Sequence, residues 1–240
     1  MKFIVALGIS WFLLISPLCA QTQYNSEVLS KAIEEKDQAA MVSIFKEVAA
    51  KPDYIDSINM FILANIFLGL KDLETASFLF FAAQMRAQVD LQHYKPVDKG
   101  GDSPAVALGA MRQQLGSVIN TNLVKYPKAY ENVIERLDKW SPVYEGDYAP
   151  GWEAESKPEI EDLKSAIIKV KTTRLDPMRQ ISQLLNTKEY FDAFLIIQEQ
   201  NLLPSKDQDE EAKQLAIDKM DNIEQELNLT GFIAMLKKNK

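Results

Sequence analysis

Residues 57–90 read SINMFILANIFLGLKDLETASFLFFAAQMRAQVD, and this stretch sets the fold class. Met60, Leu63, Ala64 and Phe67 recur at helical spacing, and so do Ala76, Phe80 and Ala83, with Gly69-Leu70-Lys71-Asp72 as the turn between them. The small residues Ala64, Ala76 and Ala83 let two helix backbones approach closely, while the large side chains fill the flanking space. The segment is therefore predicted to be a helical hairpin.

Working outward, helical periodicity dominates and strand-like alternation is nearly absent after residue 21. Upstream, a first hairpin is predicted from Ser26 through Val28, Leu29, Ala32 and Ile33. It resumes after Lys36-Asp37 with Ala40, Met41, Ile44, Phe45 and Val48, and stops at Lys51-Pro52. Downstream, the polar stretch from Leu91 to Ser103 reads as a loop holding His93. Helices are expected from Pro104 to about Leu115 and from Pro127 to Trp140, with Asn120 where two helical segments meet. After Pro158 come Ile160 to Val170, Pro177 to Leu185, Tyr190 to Gln200 and Gln208 to Leu227. The expectation is an all-α chain, a single irregular helical domain over residues 21–240. It divides into repeat-like hairpins (21–140), an aromatic loop (141–157) and C-terminal helices (158–240). The spacing in 57–90 resembles a tetratricopeptide or Sel1-like hairpin, with a weaker match around Ala193 and Ile197. A true solenoid and a set of irregular hairpins both satisfy it.

The N-terminus carries Lys2, an apolar run from Phe3 to Ile15, then Ser16-Pro17-Leu18-Cys19-Ala20 before Gln21. These are the three regions of a secretory signal, with cleavage expected after Ala20. About thirteen apolar residues make roughly 20 Å of helix, too short for a bilayer span. Leu18 before Cys19 is too bulky for a lipidation site. Since Cys19 is the only cysteine, the processed chain has no disulfide and relies on its core. With a short basic leader and no cysteine, the periplasm is the expected location. The formal charge of −7 argues against nucleic acid or anionic lipid as partner.

Catalytic equipment is sparse. With His93 the only histidine, Ser-His-Asp and Cys-His chemistry have a single candidate base, and no His-x-x-x-His or Cys-x-x-Cys metal spacing exists. Neither a cofactor nor a metal is expected, and Gly100-Gly101 lacks the strand-to-helix setting of a phosphate loop. Carboxylate pairs such as Glu153-Glu155 are common among 34 acidic residues and read as solvated helix faces. Two features stand out. Arg86 follows the apolar run Phe78-Leu79-Phe80-Phe81, where an arginine must be paired or must close a loop contact. Trp140, Tyr144, Tyr148 and Trp152 gather on the longest predicted loop, where exposed rings make efficient contact surfaces; folding back over the core is the alternative. These five residues are the candidate binding set.

Phe80-Phe81-Ala82-Ala83-Gln84-Met85-Arg86-Ala87, then Leu115-Gly116-Ser117-Val118-Ile119-Asn120, Asp138-Lys139-Trp140 and Tyr148-Ala149-Pro150-Gly151-Trp152 together resemble a group of exported bacterial helical proteins. Some of these are immunity partners of antibacterial effectors, including type VI secretion toxins. The resemblance covers residues 57–152, with Met85 where the group has leucine. It implies a role class, an immunity protein that neutralises a secreted effector, and the sparse catalytic equipment points to stoichiometric binding. A tetratricopeptide-like adaptor or assembly factor of the envelope is the alternative.

Overall fold

The computed structural model describes residues 34–144 and 148–233. The expected signal segment, the first half of the expected first hairpin and the basic C-terminal tail lie outside the described residues. Within them the protein is all-α, with helices α1 (Gln38–Ala49), α2 (Ser57–Gly69), α3 (Leu73–His93), α4 (Pro104–Leu123), α5 (Pro127–Lys139), α6 (Ile160–Leu185), α7 (Lys188–Leu202) and α8 (Glu210–Glu226). Short 3-10 turns occupy Pro52–Tyr54 and Ser205–Asp207.

Local chemistry sets the helix starts. Aspartates 37, 56, 72 and 209 each accept a hydrogen bond from a backbone N–H in the first turn of α1, α2, α3 and α8. Proline opens α4 and α5, where the missing N–H costs nothing. In the α2–α3 turn the left-handed position falls on Lys71, at φ 63°, while Gly69 is the last helical residue. The Asp72 N–H closes that turn on the Phe67 carbonyl at 2.9 Å.

The hub is α3, on which α2, α4, α5 and α6 all pack; α7 and α8 form a hairpin resting on α6. Leu63, Ala64 and Phe67 of α2 and Ala76, Phe80 and Ala83 of α3 are all buried, as the hairpin pattern requires. Phe61 and Phe80 meet edge to face at 5.8 Å.

Three boundaries differ from the sequence reading. His93 ends α3 instead of lying in the loop, so α3 is a 21-residue helix. The expected break near Leu115 is absent: α4 runs on to Leu123 because Leu115, Ile119 and Leu123 continue its buried stripe. Gly116 belongs to that contact, since a Cβ there would lie 3.2 Å from Phe80 Cζ. Asn120 is thus an exposed residue in the last turn of α4, where its carbonyl accepts the Val124 N–H. Pro177 sits inside α6, which stays continuous for 26 residues; Leu163, Ile167 and Val170 before it and Leu175, Met178 and Leu184 around and after it are all buried. Packing on both sides of the proline outweighs its lost hydrogen bond. Among the described residues, no helix is long and apolar enough to cross a membrane.

Candidate functional site

Arg86 and Asp90 stand one turn apart on α3, on the same face, and both are fully buried. The guanidinium spends its donors on loop backbone: Nη1 donates to the Asp53 and Ile55 carbonyls at 3.0 and 2.7 Å, and Nη2 to the Val143 carbonyl at 2.6 Å. Nε donates to the Tyr148 hydroxyl at 3.0 Å, and that hydroxyl donates to Asp90 Oδ2 at 2.6 Å. The guanidinium carbon also lies 4.2 Å from the ring centre of Tyr148 and 4.9 Å from that of Tyr144. Tyr148 in turn meets Tyr144 and Tyr94 edge to face, at 5.1 and 5.7 Å. One side chain thus joins α3, the turn before α2 and the loop after α5.

Charge balance makes the cluster unusual. Asp56, which caps α2 through the Asn59 N–H at 3.0 Å, is buried close enough to feel Arg86, so two carboxyls face one guanidinium. Burial pushes Asp90 up to about 7, against the pull of Arg86 and the Tyr148 hydroxyl, and Asp56 adds to the rise. Burial likewise raises Asp56, against its bonds to Asn59 and the attraction of Arg86. Burial works to lower Arg86, but Tyr148, Asp90 and Tyr144 outweigh it and hold the guanidinium charged. Tyr144 and Tyr148 are raised, first by burial and then by Asp90, and stay neutral. The Ser57 hydroxyl lies near enough to Asp90 to draw its pKa down somewhat, although it falls short of hydrogen-bond geometry. Near neutral pH the arrangement holds one fixed positive charge, and the Asp90 carboxyl is poised to exchange its proton.

The aromatic loop is correspondingly fastened down. Trp140, Tyr144 and Tyr148 are buried and Trp152 is half-buried. Trp152 Nε1 donates to the Tyr94 carbonyl at 2.9 Å, and Trp140 Nε1 to the Pro52 carbonyl at 3.4 Å. Backbone bonds add to these: Val143 N–H to Asp53 at 2.7 Å, Glu155 N–H to Lys95 at 2.8 Å and Val97 N–H to Glu153 at 3.1 Å. Of the two readings, the rings follow the one in which they fold back over the core, and the expectation of an exposed contact loop is corrected. Arg86, Tyr144 and Tyr148 meet as an internal junction, because Arg86 must have partners and this loop supplies them, while Trp140 and Trp152 fasten the loop through the Pro52 and Tyr94 carbonyls. Arg86 does pin a loop, the one after α5 in addition to the turn before α2. The sequence reading missed Asp53, Asp56, Asp90 and Tyr94; of these only Asp90, four residues after a buried arginine on an apolar helix, carried a readable signal.

A second buried polar contact closes the C-terminal half. Glu224 Oε1 accepts from the Tyr190 hydroxyl at 2.7 Å and from the Ile233 N–H at 2.9 Å, fixing the segment after α8 against α7. Phe232 stacks on Phe194 there, with ring centres 5.2 Å apart. Among the described residues, open grooves include one of about 420 Å³ between α3 and α4 and one of about 520 Å³ between α5 and α6. Among the described residues, no group of three or more His, Cys, Asp or Glu side chains is placed to hold a metal ion. Comparison with protein-family models, with curated proteins and with solved structures gives no match to this chain.

Proposed function

We propose that this chain is a periplasmic protein that works by stoichiometric binding, as an immunity partner of a secreted antibacterial effector. The carrying observation is the α7–α8 edge. Leu202 is 80 % exposed and Leu215 71 %, and Leu203 is also exposed. Asp207, Asp209, Glu210, Glu211 and Asp218 lie near them in the chain and are also exposed, outnumbering the exposed Lys206 and Lys219. Along α8, Glu211, Leu215, Asp218 and Asn222 fall on one exposed stripe. Exposed leucines on a predominantly acidic segment suit a partner that offers an apolar pocket with a basic rim, and the net charge of −7 speeds capture of such a partner. Since the Trp140–Trp152 loop is committed to the core, this edge is the binding surface we favour.

The test is protection. Co-expressing the exported chain with a neighbouring effector gene should restore growth, and Leu202→Glu with Leu215→Arg should abolish the rescue while leaving the unfolding midpoint unchanged. A buried leucine anchor of this kind is worth about 2 kcal/mol, or roughly thirtyfold in affinity. Rescue that persists in the double variant refutes the surface, and absence of any effector the chain relieves refutes the role. An envelope adaptor is the second reading, favoured by the close, alanine-lined contact of α2 and α3, which is the kind of pairing tetratricopeptide scaffolds use.

A further inference from the structure

We infer that the groove between α3 and α4 is a second docking site, a slot for an acidic, apolar-anchored segment of a protein partner. Its floor is apolar, made by the buried Phe61, Ala87 and Leu108. Its walls are two helical stripes: Gln84, Gln88 and Leu91 on α3, and Ala105, Gly109 and Arg112 on α4. Each stripe follows an i, i+4, i+7 pattern, so the slot runs for about two turns, or roughly 10 Å. Arg174 from α6 also lines it, its Nη2 donating to Gln88 Oε1 at 3.2 Å. An elongated slot open on one side suits a peptide segment laid along it better than an enclosed small molecule.

Charge says what the segment must carry. In a chain of net charge −7, the charged residues lining this groove are both arginines. Arg112 is the one charged residue of α4. Neither arginine has a carboxylate partner among the described residues, whereas Arg136 reaches Glu74 and Arg179 reaches Asp138 and Asp176. A carboxylate beside an apolar side chain would answer both the guanidinium groups and the floor.

Gly109 is the independent sign. It lies inside α4, where glycine weakens the helix by about 1 kcal/mol relative to alanine. Gly116 is explained by Phe80 at 3.2 Å, but a Cβ on Gly109 would meet nothing within 4 Å. Nothing in the fold occupies the space beside Gly109, so the missing side chain leaves this wall of the slot open to close approach by a docked backbone.

The probe is a short fluorescein-labelled amphipathic peptide of leucine and glutamate, compared with a leucine–lysine peptide of the same pattern and with dodecanoate. We expect the wild-type chain to bind the glutamate peptide, with amide shifts at Leu91, Ala105 and Gly109. The pair Arg112→Glu and Arg174→Glu should weaken that binding at least roughly tenfold and shift preference to the lysine peptide. Gly109→Trp should block it with the unfolding midpoint unchanged or raised. The Leu202→Glu/Leu215→Arg variant should bind the glutamate peptide normally, which separates this slot from the α7–α8 edge. Equal affinity for both peptides, binding indifferent to the arginines, or binding of dodecanoate alone would each overturn the inference. Arginine-dependent dimerisation in sedimentation would also overturn it, by making a second copy the occupant.

Discussion

Asparagine at position 90 would keep the shape of the side chain and a carbonyl to accept the Tyr148 hydroxyl, and would remove the ability to ionise. In the folded protein, burial raises the Asp90 carboxyl from 3.8 to about 7. The unfolded chain returns it to its ordinary value near 4. Between those values the folded state binds more protons than the unfolded state. The stability this group contributes is therefore complete below pH 4 and is lost as the pH rises through 7. About three pH units at about 1.4 kcal/mol each set the loss at up to about 4 kcal/mol. Urea unfolding of wild type and Asp90→Asn across this range isolates the group, because other titrating residues cancel in the difference. The wild type should be the more stable relative to the variant at acid pH, and should lose that advantage by about pH 8. A difference that stays flat refutes a titrating Asp90. A difference that grows in favour of wild type with rising pH means that Arg86 holds the carboxylate ionised, the opposite sign. If Asp56→Asn removes the pH dependence instead, the proton resides at the α2 cap.

Arg86→Met leaves the Asp53, Ile55 and Val143 carbonyls without their donor and strands the buried Asp90; it should cost about 3–5 kcal/mol in denaturant unfolding. Hydrogen exchange at the Val143 and Glu155 amides should quicken in that variant, since both hold the loop. Ala76→Leu should cost roughly 1–3 kcal/mol by overpacking, because Ala76 is fully buried; a neutral result in unfolding would contradict the close α2–α3 contact. Gly231→Ala places a Cβ against Glu224 Oε1 and Leu184 Cδ1, so it should lower the thermal midpoint by an amount corresponding to roughly 1–3 kcal/mol and expose Phe232 to quenching or cleavage.

Most helices were legible in the sequence because their determinants are local. An apolar stripe at helical spacing and a proline at its first position act within a few residues, so the Met60–Phe67 stripe of α2 and the Pro104 and Pro127 starts of α4 and α5 needed no distant partner. Where local rules misled, long-range packing decided. Gly116 and Pro177 look like breaks in isolation, and the α4 and α6 helices run through them because buried residues lie on both sides. The aromatic loop shows the same division. Its composition marked Trp140, Tyr144, Tyr148 and Trp152 as a set with a purpose, but composition does not distinguish rings that meet a partner from rings that meet the core. That choice belongs to Arg86, 62 residues before Tyr148, whose desolvated charge draws hydroxyl, ring faces and backbone carbonyls from separate segments. Helix periodicity is a property of neighbouring residues, so the sequence by itself determined it. The pairing of a buried charge is settled by which segments the fold brings within hydrogen-bond distance, and only the tertiary structure decided that.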